Sequence, residues 1–132
     1  MKKITIYKIS KPEVNDINKE LQWFSESLGL FGIRDKERSC FRVFLELVKA
    51  KKSHRFISSD EIANNSRITR ATVIHHLKNL EERGLIIHEN KRYSLSMNSF
   101  SSLIKQMEKD FQKLIEDLEE TANELDNKLE LN

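Results

Sequence analysis

The chain opens with alternating apolar and polar side chains and then changes to helical spacing. Residues 4–9 alternate in this way, which predicts a short strand or an extended arm. Ser10 lies three residues before Glu13, a spacing typical of the capping box at a helix N-terminus. After it, apolar residues recur every three or four positions. The pattern stops at Gly29, and glycine commonly ends helices. The apolar residues are Val14, Ile17, Leu21, Phe24 and Leu28. We therefore predict an amphipathic helix over residues 12–28.

A second helical pattern follows a short loop at residues 32–34. Asp35 is a candidate N-cap, and the apolar spacing continues to about Lys52. The apolar residues are Cys40, Phe41, Phe44, Leu45, Leu47 and Val48. Because they cover more than half of the circumference, we expect this helix to be central to the core, with Cys40 as a small buried residue.

The middle of the chain predicts short elements separated by turns. Residues 56–57 predict a short strand, and Ser58 with Glu61 repeats the capping-box spacing. The helix that begins there is expected to end near Asn65, and residues 66–68 are expected to form a turn.

The next predicted helix begins at Thr69, which is a candidate N-cap. We predict a helix through Arg83, ended by Gly84. Two strand-like stretches then follow, residues 85–88 and residues 93–95, and the four residues between them are polar. This arrangement predicts a β-hairpin.

The C-terminal part of the chain predicts one long helix, because no Gly or Pro occurs between Ser99 and Leu131. Its apolar residues recur at heptad spacing. They are Phe100, Ile104, Met107, Phe111, Leu114, Leu118 and Leu125. A helix of ~33 residues is ~50 Å long, whereas a compact domain of this size is only ~30 Å across. We therefore expect the helix to extend beyond its domain and to pair with a second copy of the chain.

Composition excludes several classes of protein. The 132 residues are enough for one small domain with an appendage. The three Gly residues, at positions 29, 32 and 84, lack the spacing of a glycine-rich nucleotide-binding motif, and the single Cys excludes an internal disulfide. We find no signal-peptide pattern and no apolar run of the ~18 residues that a membrane span needs. We expect a soluble cytoplasmic protein that needs no cofactor and does not bind membranes.

The net charge of +2 hides an uneven distribution. Residues 1–107 hold 20 Lys and Arg against 12 Asp and Glu, whereas residues 108–132 hold 3 against 9. A polyanion would therefore bind the first part of the chain and not the second.

The order of elements is that of a winged helix-turn-helix, in a mainly α fold with a small β-hairpin wing. We divide the chain into an arm and amphipathic helix (1–34), a winged helix-turn-helix domain (35–97) and a coiled-coil-like dimerisation helix (98–132). The run ITRATVIHHLKNLEERGLI at residues 68–86 resembles the recognition helix and first wing strand of ArsR/MarR-like bacterial and archaeal transcriptional regulators. Residues 59–63 resemble the first helix of the same motif. The resemblance implies a regulator that binds double-stranded DNA.

The residues of the recognition helix support that interpretation by themselves. Val73, Leu77 and Leu80 share one face and are expected to be buried. The other face presents small and hydrogen-bonding side chains suited to the major groove. The candidate DNA-binding residues are Thr69, Arg70, Ala71, Thr72, His75, Lys78 and Asn79, and Arg70 and Ile74 lie at the borders of this face. Thr69 and the first free amides of the helix can bind a phosphate.

Two further segments of the chain are basic. Lys91 and Arg92 lie at the predicted wing tip, where they can contact phosphates or the minor groove. The cations and histidine of residues 49–55 are better explained as a solvated helix end.

Metal binding and catalysis are not expected. His75 and His76 diverge by ~100° on a helix, so they cannot readily share an ion. Acidic pairs such as Glu116–Asp117 fit a solvated helix face better than a catalytic site. Trp23, Phe24, Phe31 and Phe111 can either line a cavity or pack in the core, and core packing is the better explanation.

We therefore expect a sequence-specific DNA-binding regulator that acts as a homodimer. The alternative is a winged-helix module that docks another protein and does not bind specific DNA. A small enzyme would need a convergent pocket that the sequence does not indicate. The sequence identifies no effector ligand.

Overall fold

The fold is mainly helical, with a small antiparallel sheet, as predicted. The computed structural model describes residues 5–13, 15–31 and 38–132. The elements are α1 (Ile17–Ser27), α2 (Ser39–Lys52), β1 (Ile57–Ser58), α3 (Ser59–Ser66), α4 (Arg70–Glu82), β2 (Ile86–Glu89), β3 (Arg92–Leu95) and α5 (Phe100–Lys128). The chain divides into two compact units, Met1–Ser96 and Met97–Asn132. Within the described residues, every helix is too short or too polar to span a bilayer.

The start of α1 was predicted wrongly. The helix begins at Ile17, and its N-cap is Asp16, whose carboxylate accepts the backbone N–H groups of Asn18 and Lys19 at 2.9 and 3.3 Å. The Ser10 capping box is therefore not the helix start, because the charged carboxylate nearer the helix satisfies the free amides. The predicted stripe also loses a member, since Ile17 is 83% exposed. Val14 lies outside the described residues.

The end of α1 agrees with the prediction. Gly29 has φ +66°, and the amides of Gly29 and Leu30 bond back to the carbonyls of Glu26 and Ser25. A Cβ atom at Gly29 would lie 2.7 Å from the carbonyl oxygen of Thr5. The position therefore requires glycine both for its backbone conformation and for this close approach.

The segment before α1 is an irregular arm and contains no strand in residues 5–13. The Tyr7 amide donates to the carbonyl of Ser27 at 2.8 Å, and the indole N–H of Trp23 donates to the carbonyl of Ile9 at 2.8 Å. These bonds attach the arm to α1. Of the two predicted alternatives for residues 4–9, the strand is therefore not found in the described part, and Ile4 lies outside it.

The core is built around α2. Val43, Phe44, Leu47 and Ala50 are at most 1% exposed. Cys40 is buried and forms no disulfide. The predicted N-cap Asp35 and the loop at 32–34 lie outside the described residues.

The observed start of α2 is Ser39, later than expected. Arg38, the preceding residue, has φ 54° and gives no side-chain cap. Phe31 packs edge-on against Phe41 and Phe44, with ring centroids 5.3 and 6.0 Å apart, and Phe111 is exposed. Phe31 therefore packs against buried residues of α2, in line with the expected core packing.

The sheet has the order β1-β3-β2 and is antiparallel throughout. Ile57 of β1 lies opposite Tyr93, and Ile86 of β2 lies opposite Leu95. Ile57, Ile86 and Leu95 are at most 3% exposed. The hairpin β2–β3 is the wing, and its buried end anchors it to the core.

The C-terminal unit is dominated by α5. Ser99 caps it through a reciprocal pair of hydrogen bonds with Ser102. The 29 residues give a length of about 44 Å. The helix ends at Lys128, slightly before the predicted Leu131.

Candidate nucleic-acid interface

The pair α3–α4 forms the helix-turn-helix, and side-chain caps define both helix starts. Ser58 Oγ accepts the Glu61 amide at 3.1 Å, and Thr69 Oγ1 accepts the Thr72 amide at 3.3 Å. The turn between the helices begins at Arg67, which has φ 56°. The N-caps at Ser58 and Thr69 were predicted correctly. The Ser58–Glu61 capping box is only half formed. The Ser58 hydroxyl caps the helix, but the Glu61 carboxylate accepts two hydrogen bonds from the Arg55 guanidinium and not from the Ser58 amide.

Buried side chains hold α4 against the core. Val73, Leu77 and Leu80 are at most 1% exposed, as is Ile62 of α3. These residues are the predicted core stripe of α4. Their burial fixes which face of the helix is left for solvent.

The solvent face of α4 carries most of the residues that we selected. Arg70, Ala71, His75, Lys78 and Asn79 are exposed, as is the border residue Ile74. No acidic residue occurs between Arg70 and Asn79. The face is therefore small, polar and basic over its first ten residues, and its acidic residues come only at the C-terminal end.

Thr69 and Thr72 have a different environment from the rest of the set. Thr72 is half-buried, and its hydroxyl accepts a hydrogen bond from the Thr69 hydroxyl at 2.9 Å. Since Thr69 also caps the helix, the two hydroxyls fix the start of α4. The amides of the first turn form the anion-binding end of the helix dipole.

Arg70 lies in an ion pair with Asp60. Its Nε is 3.0 Å from Asp60 Oδ1, and the two side chains are 67% and 72% exposed. This contact engages Nε, while the two Nη atoms carry four further N–H donors. Asp60 therefore contacts the guanidinium through Nε, and this contact does not use either Nη atom.

The two adjacent histidines have separate partners. His75 Nε2 lies 3.4 Å from the side-chain nitrogen Nδ2 of Asn79, on the solvent face. His76 Nε2 lies 2.7 Å from the Ser39 hydroxyl, so it links α4 to α2. Across the described part of the chain, no group of three or more His, Cys, Asp or Glu residues can hold a metal ion.

The wing ends in a two-residue turn. Asn90 and Lys91 have φ 50° and 62°, which is the type I′ geometry that joins antiparallel strands most tightly. Lys91 and Arg92 are both exposed at this tip. Arg92 lies opposite Glu89 in the ladder. The predicted tip residues are therefore adjacent and accessible, on one end of the hairpin.

His88, near the tip of the wing, contacts both β3 and the end of α4. His88 stacks on Tyr93 with centroids 4.6 Å apart and an interplanar angle of 17°. The Nδ1 atom of His88 is 3.6 Å from Glu81 Oε2. The stacking contact lies within the hairpin, and the contact with Glu81 connects the hairpin to α4.

The basic segment at residues 49–55, which spans the C-terminal end of α2, is largely engaged in structural contacts. Lys49 pairs with Glu46 at 3.3 Å, and the Lys51 ammonium donates to the Leu95 carbonyl at 3.3 Å. The hydrogen bonds and charge of Glu61 raise the pKa of the Arg55 guanidinium above its usual value. These contacts favour the interpretation of this segment as a solvated helix end.

Sequence analysis missed two residues of this surface. Asp60 was treated only as part of a helix start, although its charge lies next to Arg70. Arg67 was treated only as a turn residue, although it is exposed at the start of the turn that leads to α4. A basic residue within three positions of the recognition helix was the available signal for Arg67. No signal in the sequence pairs Asp60 with Arg70.

Comparison with known proteins agrees with this geometry. Residues 52–87 match the family model described as winged helix-turn-helix DNA-binding. The matched segment contains β1, α3, α4 and the start of β2. No curated protein and no solved structure gave a significant match. The fold and this match together define a winged helix-turn-helix DNA-binding domain, while the ArsR/MarR-like subfamily stays a prediction.

Proposed function

We propose that the chain is a transcriptional regulator that binds specific sequences of double-stranded DNA as a homodimer. In this proposal α4 lies in the major groove, and the wing contacts the backbone or the minor groove. The observation that carries it is the exposed face of α4, which is polar and basic and is oriented by the buried residues Val73, Leu77 and Leu80. A cytoplasmic location belongs to the same proposal.

The chemistry of the α4 face suits base reading. Arg70 can bond guanine O6 and N7, Asn79 can bond adenine N6 and N7, and the methyl group of Ala71 can contact a thymine methyl. His75 and Lys78 add donors to the same face. Because the DNA backbone is a continuous polyanion, the absence of acidic residues from Arg70 to Asn79 favours close approach.

The positions of the remaining cations suit backbone contacts. Lys91 and Arg92 extend from the wing tip, and Arg67 begins the turn before α4. Such contacts determine the register of a protein on DNA but carry little sequence information. We therefore assign specificity to α4 and the salt-dependent part of the affinity to these three cations.

The homodimer is supported by the apolar stripe of α5. Phe111, Leu114, Leu118 and Leu125 are about half exposed in the single chain. Soluble proteins rarely leave a long apolar stripe open to water, because each buried methylene contributes about 0.8 kcal/mol. Pairing with a second copy buries the stripe of both chains.

Fluorescence anisotropy tests the proposal with a labelled duplex selected from a random-sequence library. We expect the selected duplex to bind at least 10³-fold more tightly than a scrambled one. Three phosphate contacts give a slope of about −2.7 in the logarithm of the association constant against the logarithm of salt concentration. Removing Lys91 and Arg92 is expected to reduce the slope, whereas Lys109→Ala, on α5, serves as the matched control.

The alternative function is docking of another protein by the winged helix. It is favoured by two exposed isoleucines, Ile74 of α4 and Ile87 of β2. If protein docking is the function, no duplex is selected and binding to DNA stays weak and independent of sequence. In that case the DNA-binding proposal is wrong.

A further inference from the structure

We infer that two copies pair through α5 in a parallel, in-register arrangement, which brings both DNA-binding units to the same end of the helix pair. This inference rests on the homodimer proposed above and adds its orientation. The DNA-binding unit ends at Ser96, directly before the Ser99 cap of α5. The orientation of α5 therefore decides whether the two recognition helices can reach one DNA site.

The apolar stripe of α5 has one consistent heptad frame. Ile104, Phe111, Leu118 and Leu125 occupy one core position at seven-residue intervals. The second core position is taken by residues 107, 114 and 121, of which the last is Thr121. The stripe is open in the single chain, with Phe111 59% and Leu118 56% exposed. A seven-residue repeat is typical of helices that supercoil with a partner helix.

The two edges of this stripe differ in charge. The edge that precedes each first core position carries Asp110, Asp117 and Glu124, after the buried Leu103. The edge that follows each second core position carries Ile115, Ala122 and Leu129, after Glu108. One edge is therefore acidic over three successive turns of the repeat, and the other is mainly apolar.

A parallel pair places unlike edges together. Flanking contacts then join a residue of one helix to the residue five positions later in its partner. Asp110 meets Ile115 of the second copy, and Asp117 meets Ala122 of the second copy. No two carboxylates of the acidic edge face each other, and the apolar edge extends the buried seam.

An antiparallel pair places like edges together. In one register, Phe111 of each chain stacks on Leu114 of the second copy. Asp110 of each chain then faces Asp117 of the other chain. Sliding the helices by one repeat makes Asp117 face itself and Asp110 face Glu124. Each register that stacks the apolar layers therefore opposes carboxylates, and like charges that face each other across helices are unfavourable.

Engineered cysteines distinguish the two orientations in the full-length chain. Met107→Cys and Thr121→Cys occupy equivalent core positions fourteen residues apart, and Cα atoms must come within about 7 Å to form a disulfide. In a symmetric antiparallel pair, a residue lies opposite the same residue of the second copy only at the centre of the contact. At most one of positions 107 and 121 can therefore form a disulfide with itself. A parallel pair allows both variants to cross-link as homodimers. The native chain, which contains only the buried Cys40, and Lys109→Cys, on the outer face, are the controls.

The expected result is efficient cross-linking of both single variants under mild oxidation and none in the controls. A chain that is dimeric in sedimentation but cross-links through only one variant, or neither, overturns the parallel orientation and leaves the dimer intact. A chain that sediments as a monomer at tens of micromolar overturns both the orientation and the proposed dimer.

Charge reversal provides a second test that leaves the core layers unchanged. The triple variant Asp110→Lys, Asp117→Lys and Glu124→Lys is mixed with the native chain, and the dimers are resolved by native mass spectrometry. A parallel pair predicts random exchange, with about half of the dimers mixed. Strong enrichment of the mixed dimer shows that the acidic edges face each other, which contradicts the parallel arrangement.

Discussion

Asp60 is expected to control how much Arg70 contributes to sequence discrimination, and Asp60→Asn tests this. The pair joins two side chains that are each about two-thirds or more exposed, at 3.0 Å. An exposed ion pair contributes about 0.2–1 kcal/mol, and the negative charge in the first turn of α3 adds about 0.3–1 kcal/mol. We therefore expect the free energy of unfolding to fall by about 1 kcal/mol, measured by urea denaturation.

The expected effects on DNA binding differ in size between scrambled DNA and the selected duplex. Removing a negative charge beside the phosphates is expected to increase affinity for scrambled DNA by about threefold, or roughly 0.7 kcal/mol. Affinity for the selected duplex is expected to rise less than threefold, because Arg70 loses the contact that orients its guanidinium toward guanine. The ratio of the two affinities should therefore fall.

The assay is anisotropy with both duplexes, and the matched control is Asp60→Glu, which keeps the charge. A double-mutant cycle with Arg70→Ala isolates the coupling between the two residues. An equal change in affinity for both duplexes, or a coupling energy of zero for the selected duplex, would refute the argument that Asp60 orients Arg70.

Three further results follow from the geometry. Lys91→Gly should keep or raise the melting temperature, because glycine fits φ 62° better than lysine, yet it should reduce the salt slope by about 1; an unchanged slope removes Lys91 from the interface. Gly29→Ala should lower the free energy of unfolding by more than about 1 kcal/mol, since the new Cβ would be 2.7 Å from the Thr5 carbonyl at a positive φ; denaturation showing no loss would contradict this. Truncation after Gln106 should give a folded monomer that binds a two-half-site duplex ~10²-fold more weakly but a single half-site almost equally well, as measured by sedimentation and anisotropy.

The local signals in the sequence were sufficient for the helix-turn-helix. Thr69 has an oxygen three positions before an amide that needs an acceptor, and Gly84 adopts φ 75° after the end of α4. The N-cap and the helix end each depend only on residues a few positions away in the chain, so both can be predicted from the sequence. The exposed and buried faces of α4 follow in the same way from helical periodicity.

Errors arose where two local signals competed or where a distant contact decided the outcome. Sequence analysis placed the start of α1 at the Ser10 capping box, whereas the carboxylate of Asp16, six residues later, caps the helix. The Glu61 side chain was expected to complete a capping box, but it bonds to Arg55 instead. The Asp60–Arg70 pair depends on the angle between α3 and α4, which local pattern does not specify.

The position of α4 on DNA is tested most directly by methylation protection of the selected duplex with dimethyl sulfate. Guanine N7 lies in the major groove, so a helix bound there shields it from methylation. We expect protection of guanines in each half-site, and we expect Arg70→Ala to restore methylation at one guanine per half-site while the others stay protected. Protection that is absent from guanine N7, or unchanged in Arg70→Ala, would contradict the placement of this recognition helix in the major groove.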